Sequence, residues 1–262
     1  MEENNISIKN KILTLAEKSV SLRELQFNEK DSLFVGSSSL VNGLNNRKEL
    51  FYPISQLSWD YNEYNAIIDQ LYTGNFTMGE KVEKFEKSFA EFFGAKYAIM
   101  VNSGSSANLL IVAALTLLQK YDFKKGDEII VPSLGWSTSY IPFTQYGLKL
   151  KFVDIDEQTF NIDPKKIKSA ISKKTKGILA INILGNPVEF KKIKEICDTN
   201  KLLLIEDNCE SLGAKYGDKY TGNFGTAASH SFFFSHHIQT IEGGMITTND
   251  KDICEYTRSL RA

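Results

Sequence analysis

Residues 97–108, YAIMVNSGSSAN, decide the fold of this chain of 262 residues. The segment begins with an apolar run of the length of a buried strand, and its small residues then form a turn into a helix predicted over residues 106–119. Glycine and serine let the backbone approach a ligand, and the helix offers free N–H groups at the positive end of its dipole. We therefore expect an anion site suited to phosphate at Gly104 and Ser105, with an ordinary helix cap as the alternative.

Apolar runs of the same kind recur along the chain and alternate with segments of helical length. Asp60 is placed to cap a helix over residues 60–72, and apolar residues at helical spacing predict another over residues 80–93. Further helices are predicted over residues 164–172 and 188–200. This alternation predicts an α/β layered domain with a seven-stranded, mostly parallel sheet. The strands are expected at residues 97–101, 128–131, 150–153, 177–181, 202–205, 229–234 and 245–248.

The pattern along the chain predicts two parts. Residues 1–52 hold a short helix candidate and a polar run, and we expect them to form an N-terminal extension or arm. Residues 53–262 are expected to form the large α/β domain. Residues 258–262 have the pattern of a helix that no cap, glycine or further strand completes. We therefore expect that the chain is truncated and that a small C-terminal domain is missing.

Charge and composition exclude several classes of protein. Lys and Arg (31) nearly balance Asp and Glu (32), so a formal net charge of -1 gives no attraction for nucleic acid or an anionic membrane surface. The N-terminal segment MEENNISIKNK lacks the apolar core of a signal peptide, and no apolar stretch approaches the length of a membrane span. Three cysteines without a CxxC pair argue against a disulfide framework, so we expect a cytoplasmic protein.

Candidate ligand-binding residues follow the predicted strands, where ligands bind in open α/β sheets. Trp136 could stack on a planar ring, although a lone tryptophan is more often part of a core. Asp207 could pair with a protonated ring nitrogen, cap a helix or bind a metal. Ser231 is a candidate phosphate ligand. Cys209 is expected to be a small buried apolar residue.

A pair of histidines follows the sixth predicted strand. Their segment, SHHIQTIEGGM at residues 235–245, contains His236 and His237, and no lysine occurs between residues 219 and 251. Nothing local could therefore hold a carbonyl cofactor covalently. Imidazole exchanges protons near neutral pH, so His236 is the candidate base, whereas His230 and His237 are assigned structural roles.

Several segments resemble one family, the sugar aminotransferases and dehydratases that include the DegT and StrS proteins. They are SGSSAN at 103–108, EDNCESLGA at 206–214, TGNFGTAASHSF at 221–232 and EGGM at 242–245. The order of the candidate residues resembles that of fold-type I pyridoxal phosphate enzymes, whose large domain is aspartate aminotransferase-like. In most members a lysine occupies the position of His236, and a histidine there resembles the 3-dehydratase branch.

The resemblance implies pyridoxamine 5'-phosphate or pyridoxal 5'-phosphate as cofactor, with His236 as the catalytic base. It also implies that Glu210 lies close to the cofactor ring. The reaction would be loss of the C3 hydroxyl from a nucleotide-linked 4-keto-6-deoxyhexose, on a route to O-antigen dideoxysugars. L-glutamate would restore the amine form of the cofactor, and the enzyme would be a homodimer. The positions that would touch the cofactor are Gly104, Ser105, Trp136, Asp207, Glu210 and Ser231.

Some alternatives stay open at this point. An aminotransferase of the same family is disfavoured because it needs a lysine near His236, and an inactive cofactor-binding fragment is the third hypothesis. GDP and CDP are both possible nucleotides. The N-terminal extension resembles that of CDP-linked relatives, which also hold a [2Fe–2S] cluster, and Cys209 resembles the first of its ligands.

Overall fold

A computed structural model gives the fold, and it describes residues 59–261 together with Asn10 and Thr14. The chain divides into two compact units, Met1–Gly79 and Glu80–Ala262. Nearly all of the predicted N-terminal extension, residues 1–52, lies outside the described residues. Its boundary at residue 53 therefore stays a prediction.

Helix α1 (Tyr61–Thr73) is the described helix of the first unit from residue 59 onward. It begins with a capping box: the Asp60 carboxylate accepts the N–H of Asn62 at 2.7 Å, and the Glu63 carboxylate accepts the N–H of Asp60 at 2.7 Å. It ends at Gly74, whose positive φ of 68° suits glycine. The predicted helix and its aspartate cap are confirmed.

A seven-stranded sheet forms the centre of the second unit, and its order is β1-β9-β8-β5-β4-β2-β3. All its strands run parallel except β9, which is antiparallel to both of its neighbours, β1 and β8. The mostly parallel sheet is therefore confirmed. Strands β6 and β7 form a separate two-stranded hairpin that the sequence pattern did not predict. The strands are β1 (Tyr97–Val101), β2 (Glu128–Pro132), β3 (Lys149–Val153), β4 (Thr175–Ile181), β5 (Leu203–Asp207), β6 (Lys215–Tyr216), β7 (Lys219–Tyr220), β8 (Ala227–Ser231) and β9 (Gly244–Thr248).

Helices cover both faces of this sheet. Helices α3, α4 and α7 supply side chains to one core cluster, and α2, α5 and α6 supply side chains to the two clusters on the other face. Strand alternation divides the side chains between the two: Ile129 and Val131 belong to the first core and Ile130 to the second. The helices are α2 (Glu80–Phe93), α3 (Gly104–Leu117), α4 (Ser137–Gln145), α5 (Pro164–Ala170), α6 (Phe190–Asn200) and α7 (Lys251–Arg261).

Two further elements differ from the sequence-based expectations. The strand predicted over residues 229–234 ends at Ser231, because the chain turns where the N–H of His236 donates to the carbonyl of Phe233 at 2.9 Å. Helix α4 was not predicted, since it contains Pro142 and has weak apolar periodicity. It forms because Ser139, Pro142 and Phe143 are buried against the rest of the domain, and tertiary packing overrides local propensity.

None of the helices in the described part of the chain is long and apolar enough to cross a membrane.

Candidate cofactor and active site

The candidate residues gather at the carboxyl ends of β5 and β8. Asp207 ends β5 and is paired in register with Ser229 of β8, and Glu206 is paired with Ala228. Since strand side chains alternate, Asp207, Ser229 and Ser231 form one surface, here called the Asp207 face. Glu206, Ala228 and His230 form the opposite surface, called the Glu206 face.

The first turn of α3 lies directly on the Asp207 face. A Cβ built on Gly104 would lie 2.7 Å from the Sγ of Cys209 and 2.7 Å from the Cβ of Ser231, so only glycine fits there. The Ser103 hydroxyl caps the helix by accepting the N–H of Ser106 at 3.1 Å. The structure thus brings together Gly104 and Ser231, two of the three predicted phosphate residues, at the N-terminus of a 14-residue helix.

Ser105, the third predicted phosphate residue, is exposed. Its hydroxyl donates to the hydroxyl of Thr138 in the first turn of α4 at 3.0 Å. The N-terminal turns of two helices therefore meet at this point, and the first N–H groups of a helix have no partner within the helix itself.

The carboxylate of Asp207 is only 5% exposed and accepts three hydrogen bonds from the residues that the structure describes. Its Oδ2 accepts from the hydroxyl of Ser139 at 2.6 Å and from the Nδ2 of Asn108 at 2.9 Å, and its Oδ1 accepts the N–H of Cys209 at 3.1 Å. A carboxylate has about four acceptor positions, so one is left for a further donor. Sequence analysis missed both side-chain partners. Asn108 lay inside the motif SGSSAN, but nothing local distinguishes Ser139.

Glu210 holds the loop after β4. Its Oε2 accepts the N–H of Leu184 at 2.8 Å. Leu184 has a positive φ of 52° and is 80% exposed, and such a conformation is unfavourable for leucine. The hydrogen bond from Leu184 to Glu210 compensates part of this cost, and it fixes the Glu210 carboxylate beside the site.

His236 lies in the loop between β8 and β9. Phe232 closes the base of this loop, because its N–H donates to Gly243 at 2.8 Å and its carbonyl accepts from Thr240 at 2.9 Å. Burial lowers the pKa of His236 below its ordinary value, and the nearby charges of Glu210 and Asp207 oppose that change. The charges of both predicted acidic residues therefore act on the half-buried imidazole.

Trp136 precedes α4 and is 71% exposed. The alternative interpretation, a buried core tryptophan, is wrong. The indole lies at the end of β2 and at the start of the helix that carries Ser139 and Thr138. Its predicted stacking role stays a prediction.

The Glu206 face carries a closed polar network. The Oε2 of Glu206 accepts the N–H of Gly222 at 2.7 Å, and Oε1 accepts the N–H groups of Phe224 at 2.6 Å and Gly225 at 2.5 Å. Burial raises the pKa of this carboxyl to about 6, and the three donors oppose the rise. The bonds fix the loop after β7 to the sheet.

His230 belongs to the same network and has the structural role expected of it. Its Nε2 lies 2.9 Å from the hydroxyl of Thr247, which donates to the carbonyl of Gly222 at 3.0 Å. The imidazole must therefore donate from Nε2, and its Nδ1 accepts from the Nδ2 of Asn208 at 3.2 Å. Burial lowers the pKa of His230 to about 4, so the ring is neutral.

Cys209 is partly buried behind Gly104. Its Sγ lies 3.8 Å from the hydroxyl of Ser229, and burial raises the thiol pKa well above its ordinary value. Among residues 59–261 the side chains of Cys, His, Asp and Glu form no group of three or more that could hold a metal ion.

Comparisons with known proteins agree on one family. The model of the DegT/DnrJ/EryC1/StrS aminotransferase family matches residues 58–262. The chain is 50% identical over 211 residues to the GDP-4-keto-6-deoxy-D-mannose 3-dehydratase of Yersinia pseudotuberculosis. These 211 residues cover 80% of this chain and 54% of that protein. The chain therefore spans about half the length of the curated relatives it matches.

Solved structures agree. The E. coli GDP-4-keto-6-deoxy-D-mannose-3-dehydratase with bound hydrated PLP is similar with a TM-score of 0.79 and 50% identity, over 81% of this chain and 55% of that chain. A structure of GDP-4-keto-6-deoxymannose-3-dehydratase with a trapped PLP-glutamate geminal diamine gives a TM-score of 0.79, again at 50% identity, with the same coverage.

Proposed function

Because the chain belongs to the DegT/DnrJ/EryC1/StrS aminotransferase family, we propose that it is a pyridoxamine phosphate-dependent dehydratase. Its reaction is the removal of the C3 hydroxyl from a nucleotide-linked 4-keto-6-deoxyhexose. The expected fold-type I large domain is confirmed by the α/β sheet and by the PLP-bound relative of the same fold. One observation carries the proposal: His236 lies in the loop after β8, and no lysine occurs between residues 219 and 251.

The residues at the ends of β5 and β8 fit such a cofactor. The N-terminus of α3, approached closely by Ser231, suits a phosphate, and the spare acceptor of Asp207 suits a protonated ring nitrogen. Trp136 supplies an exposed aromatic surface to stack on the ring. Pyridoxamine phosphate would supply a primary amine and an electron-accepting ring.

His236 moves the proton in this proposal. Its imidazole would remove a proton from the carbon that bears the cofactor amine and would deliver that proton to the hydroxyl that leaves C3 as water. Burial favours the neutral, proton-accepting form of His236. Glu210 stabilises the imidazolium of His236 once it forms, since the Glu210 carboxylate raises the pKa of that imidazole.

GDP-4-keto-6-deoxymannose is the first substrate to test, because the 50% identical relative carries that substrate in its name. L-glutamate is the proposed amine donor, in line with the relative whose structure holds PLP-glutamate. We also propose a homodimer, with residues 53–262 as the cofactor-binding large domain. A cytoplasmic location is proposed because the three cysteines are unpaired.

The test is a product assay on the full-length protein with pyridoxamine phosphate, the GDP sugar and glutamate, followed by mass spectrometry. His236→Lys is assayed beside His237→Lys, a matched control one residue away. We expect the sugar to lose the C3 hydroxyl oxygen in the wild type and in the control but not in His236→Lys. An aminated sugar that keeps its C3 hydroxyl would show an aminotransferase instead, and an unchanged sugar would contradict the proposed substrate.

The pH dependence of the same assay tests the role of His236. A base whose pKa lies below the ordinary histidine value near 6.5 stays neutral to lower pH. We expect kcat/KM to fall only as the pH drops below about 6.5, because protonation then removes the base. An acid limb well above that pH would assign the proton transfer to another group.

A further inference from the structure

We infer that Ser139 and Asn108 are positioning residues that set the Asp207 carboxylate for the cofactor ring nitrogen. This inference rests on the proposed function, since it concerns the same cofactor. Neither side chain was predicted, and neither needs to touch the cofactor itself.

The two donors occupy one oxygen of the carboxylate. The hydroxyl of Ser139 at 2.6 Å and the amide of Asn108 at 2.9 Å both donate to Oδ2, whereas Oδ1 accepts the N–H of Cys209 at 3.1 Å. A carboxylate oxygen accepts about two hydrogen bonds, so Oδ2 is filled. The acceptor position that remains is on Oδ1, and a protonated ring nitrogen would be directed there.

The donors come from the two helices that carry the other candidate cofactor residues. Asn108 lies one turn into α3, which begins at Gly104, and Ser139 lies in the first turn of α4, which follows Trp136. Hydrogen bonds from both helices to Asp207 therefore fix the phosphate turn and the exposed indole relative to β5. Ser139 is 2% exposed and Asn108 is 6% exposed, so water does not replace either donor easily.

The same bonds control where the shared proton resides. With both donors on Oδ2, the carboxylate cannot turn freely, and Oδ1 stays directed toward the ring nitrogen. Without them the carboxylate could turn away, the ion pair with the ring would weaken, and the ring nitrogen would hold its proton less strongly. A role limited to filling space would not change that proton.

The experiment uses the full-length protein and pyridoxamine phosphate labelled with ¹⁵N in the ring. Ser139→Ala and Asn108→Leu each remove one donor, and Ser139→Thr keeps the hydroxyl. Ser172→Ala is the matched control, because the Ser172 hydroxyl donates to the Glu128 carboxylate at 2.6 Å, at the start of β2. The measurements are the cofactor Kd and the ¹⁵N chemical shift of the bound ring.

We expect each donor-removing variant to bind the cofactor about tenfold more weakly, the effect of one charge-assisted hydrogen bond. We also expect the ¹⁵N resonance to move toward the unprotonated position, while Ser139→Thr and Ser172→Ala behave as the wild type. If Ser139→Ala does not fold, Ser139→Cys, which keeps the shape with a weaker donor, takes its place.

Unchanged ¹⁵N shifts in the donor-removing variants, with or without weaker binding, would overturn the inference and leave the proposed function intact. An equal loss of affinity in Ser172→Ala would overturn it too, because general destabilisation would then explain the result. Failure of the wild type to bind pyridoxamine phosphate would refute both the proposed function and this inference.

Discussion

The two faces of the β5–β8 pair use the same chemistry for different purposes. Glu206 and Asp207 are adjacent in sequence, both are almost fully buried, and each accepts three hydrogen bonds within the described part of the chain. All three donors of Glu206 are backbone N–H groups of one loop, whereas two donors of Asp207 are side chains from two helices. The Glu206 carboxylate fixes the loop after β7 to the sheet, whereas we propose that the Asp207 carboxylate has an acceptor position for the cofactor.

Their two histidines differ in the same way. His230 is enclosed on the Glu206 face, where it packs edge-on against Phe89 with ring centroids 5.2 Å apart, and its two nitrogens are bonded to Asn208 and Thr247. His236 lies half-buried in a loop beyond the end of β8, with Glu210 and Asp207 as charged neighbours. A buried histidine whose ring nitrogens are both hydrogen-bonded is typical of a structural role. A partly buried histidine with charged neighbours is typical of a functional site.

The largest expected effect is that of Asp207→Asn on cofactor binding. The amide keeps the shape of the side chain but loses the charge that would pair with a protonated ring nitrogen. Loss of one partner of a buried charge pair costs roughly 3–5 kcal/mol, so we expect affinity for pyridoxamine phosphate to fall at least about a hundredfold. A fluorescence titration measures this, and a loss of less than tenfold would remove the proposed distinction between the two carboxylates.

His230→Gln should change how stability depends on pH. The folded state holds His230 neutral down to about pH 4, whereas the unfolded chain protonates near pH 6.5. The unfolded state therefore binds more protons between these values, and wild-type stability falls as the pH is lowered through this window. The variant lacks this contribution, so we expect its unfolding free energy to fall by about 2–3 kcal/mol less than that of the wild type between pH 7 and 4.5.

Urea unfolding at the two pH values gives this difference. Glu206, whose pKa is raised to about 6, contributes with the opposite sign between about pH 4.5 and 6, so only the difference between variant and wild type isolates His230. The same pH dependence in both proteins would mean that the folded state protonates His230 as readily as the unfolded chain does.

Glu206→Gln should lower the free energy of unfolding without changing the affinity for the cofactor. One amide oxygen cannot replace two carboxylate oxygens, so at least one of the loop N–H groups loses its partner. We expect a loss of about 2 kcal/mol in urea unfolding near neutral pH. Affinity for pyridoxamine phosphate should stay within about twofold of the wild type, and a larger change would show that the Glu206 face also shapes the site.

Gly104→Ala tests the close approach on the Asp207 face. The added methyl group would lie 2.7 Å from both Cys209 and Ser231, so the first turn of α3 must shift. We expect a loss of about 1–2 kcal/mol in unfolding free energy and weaker binding of inorganic phosphate. The double variant with Cys209→Ala relieves one of the two contacts and should recover part of the loss. An unchanged phosphate affinity would place the anion site elsewhere.

Local sequence predicted the elements that have strong local signals. The helix over residues 80–93 was predicted with its observed bounds, since Phe85, Phe89 and Phe93 repeat at helical spacing. The strands were placed to within a few residues because short apolar runs need burial on both faces. Helix α4 was missed because its signal lies in the packing of Ser139 and Phe143, and the hairpin of β6 and β7 because each strand has only two residues.

The sequence alone determined the fold class, the family resemblance and the residue types at the strand ends. Those signals are local: apolar runs, small residues in a turn, and a histidine in a segment without lysine. Only the tertiary structure decided that Ser139 and Asn108 bind Asp207, that Glu210 holds Leu184, and that Trp136 is exposed. Hydrogen bonds between residues 68 and 99 positions apart depend on how helices pack on the sheet, and short-range sequence patterns carry no record of that packing.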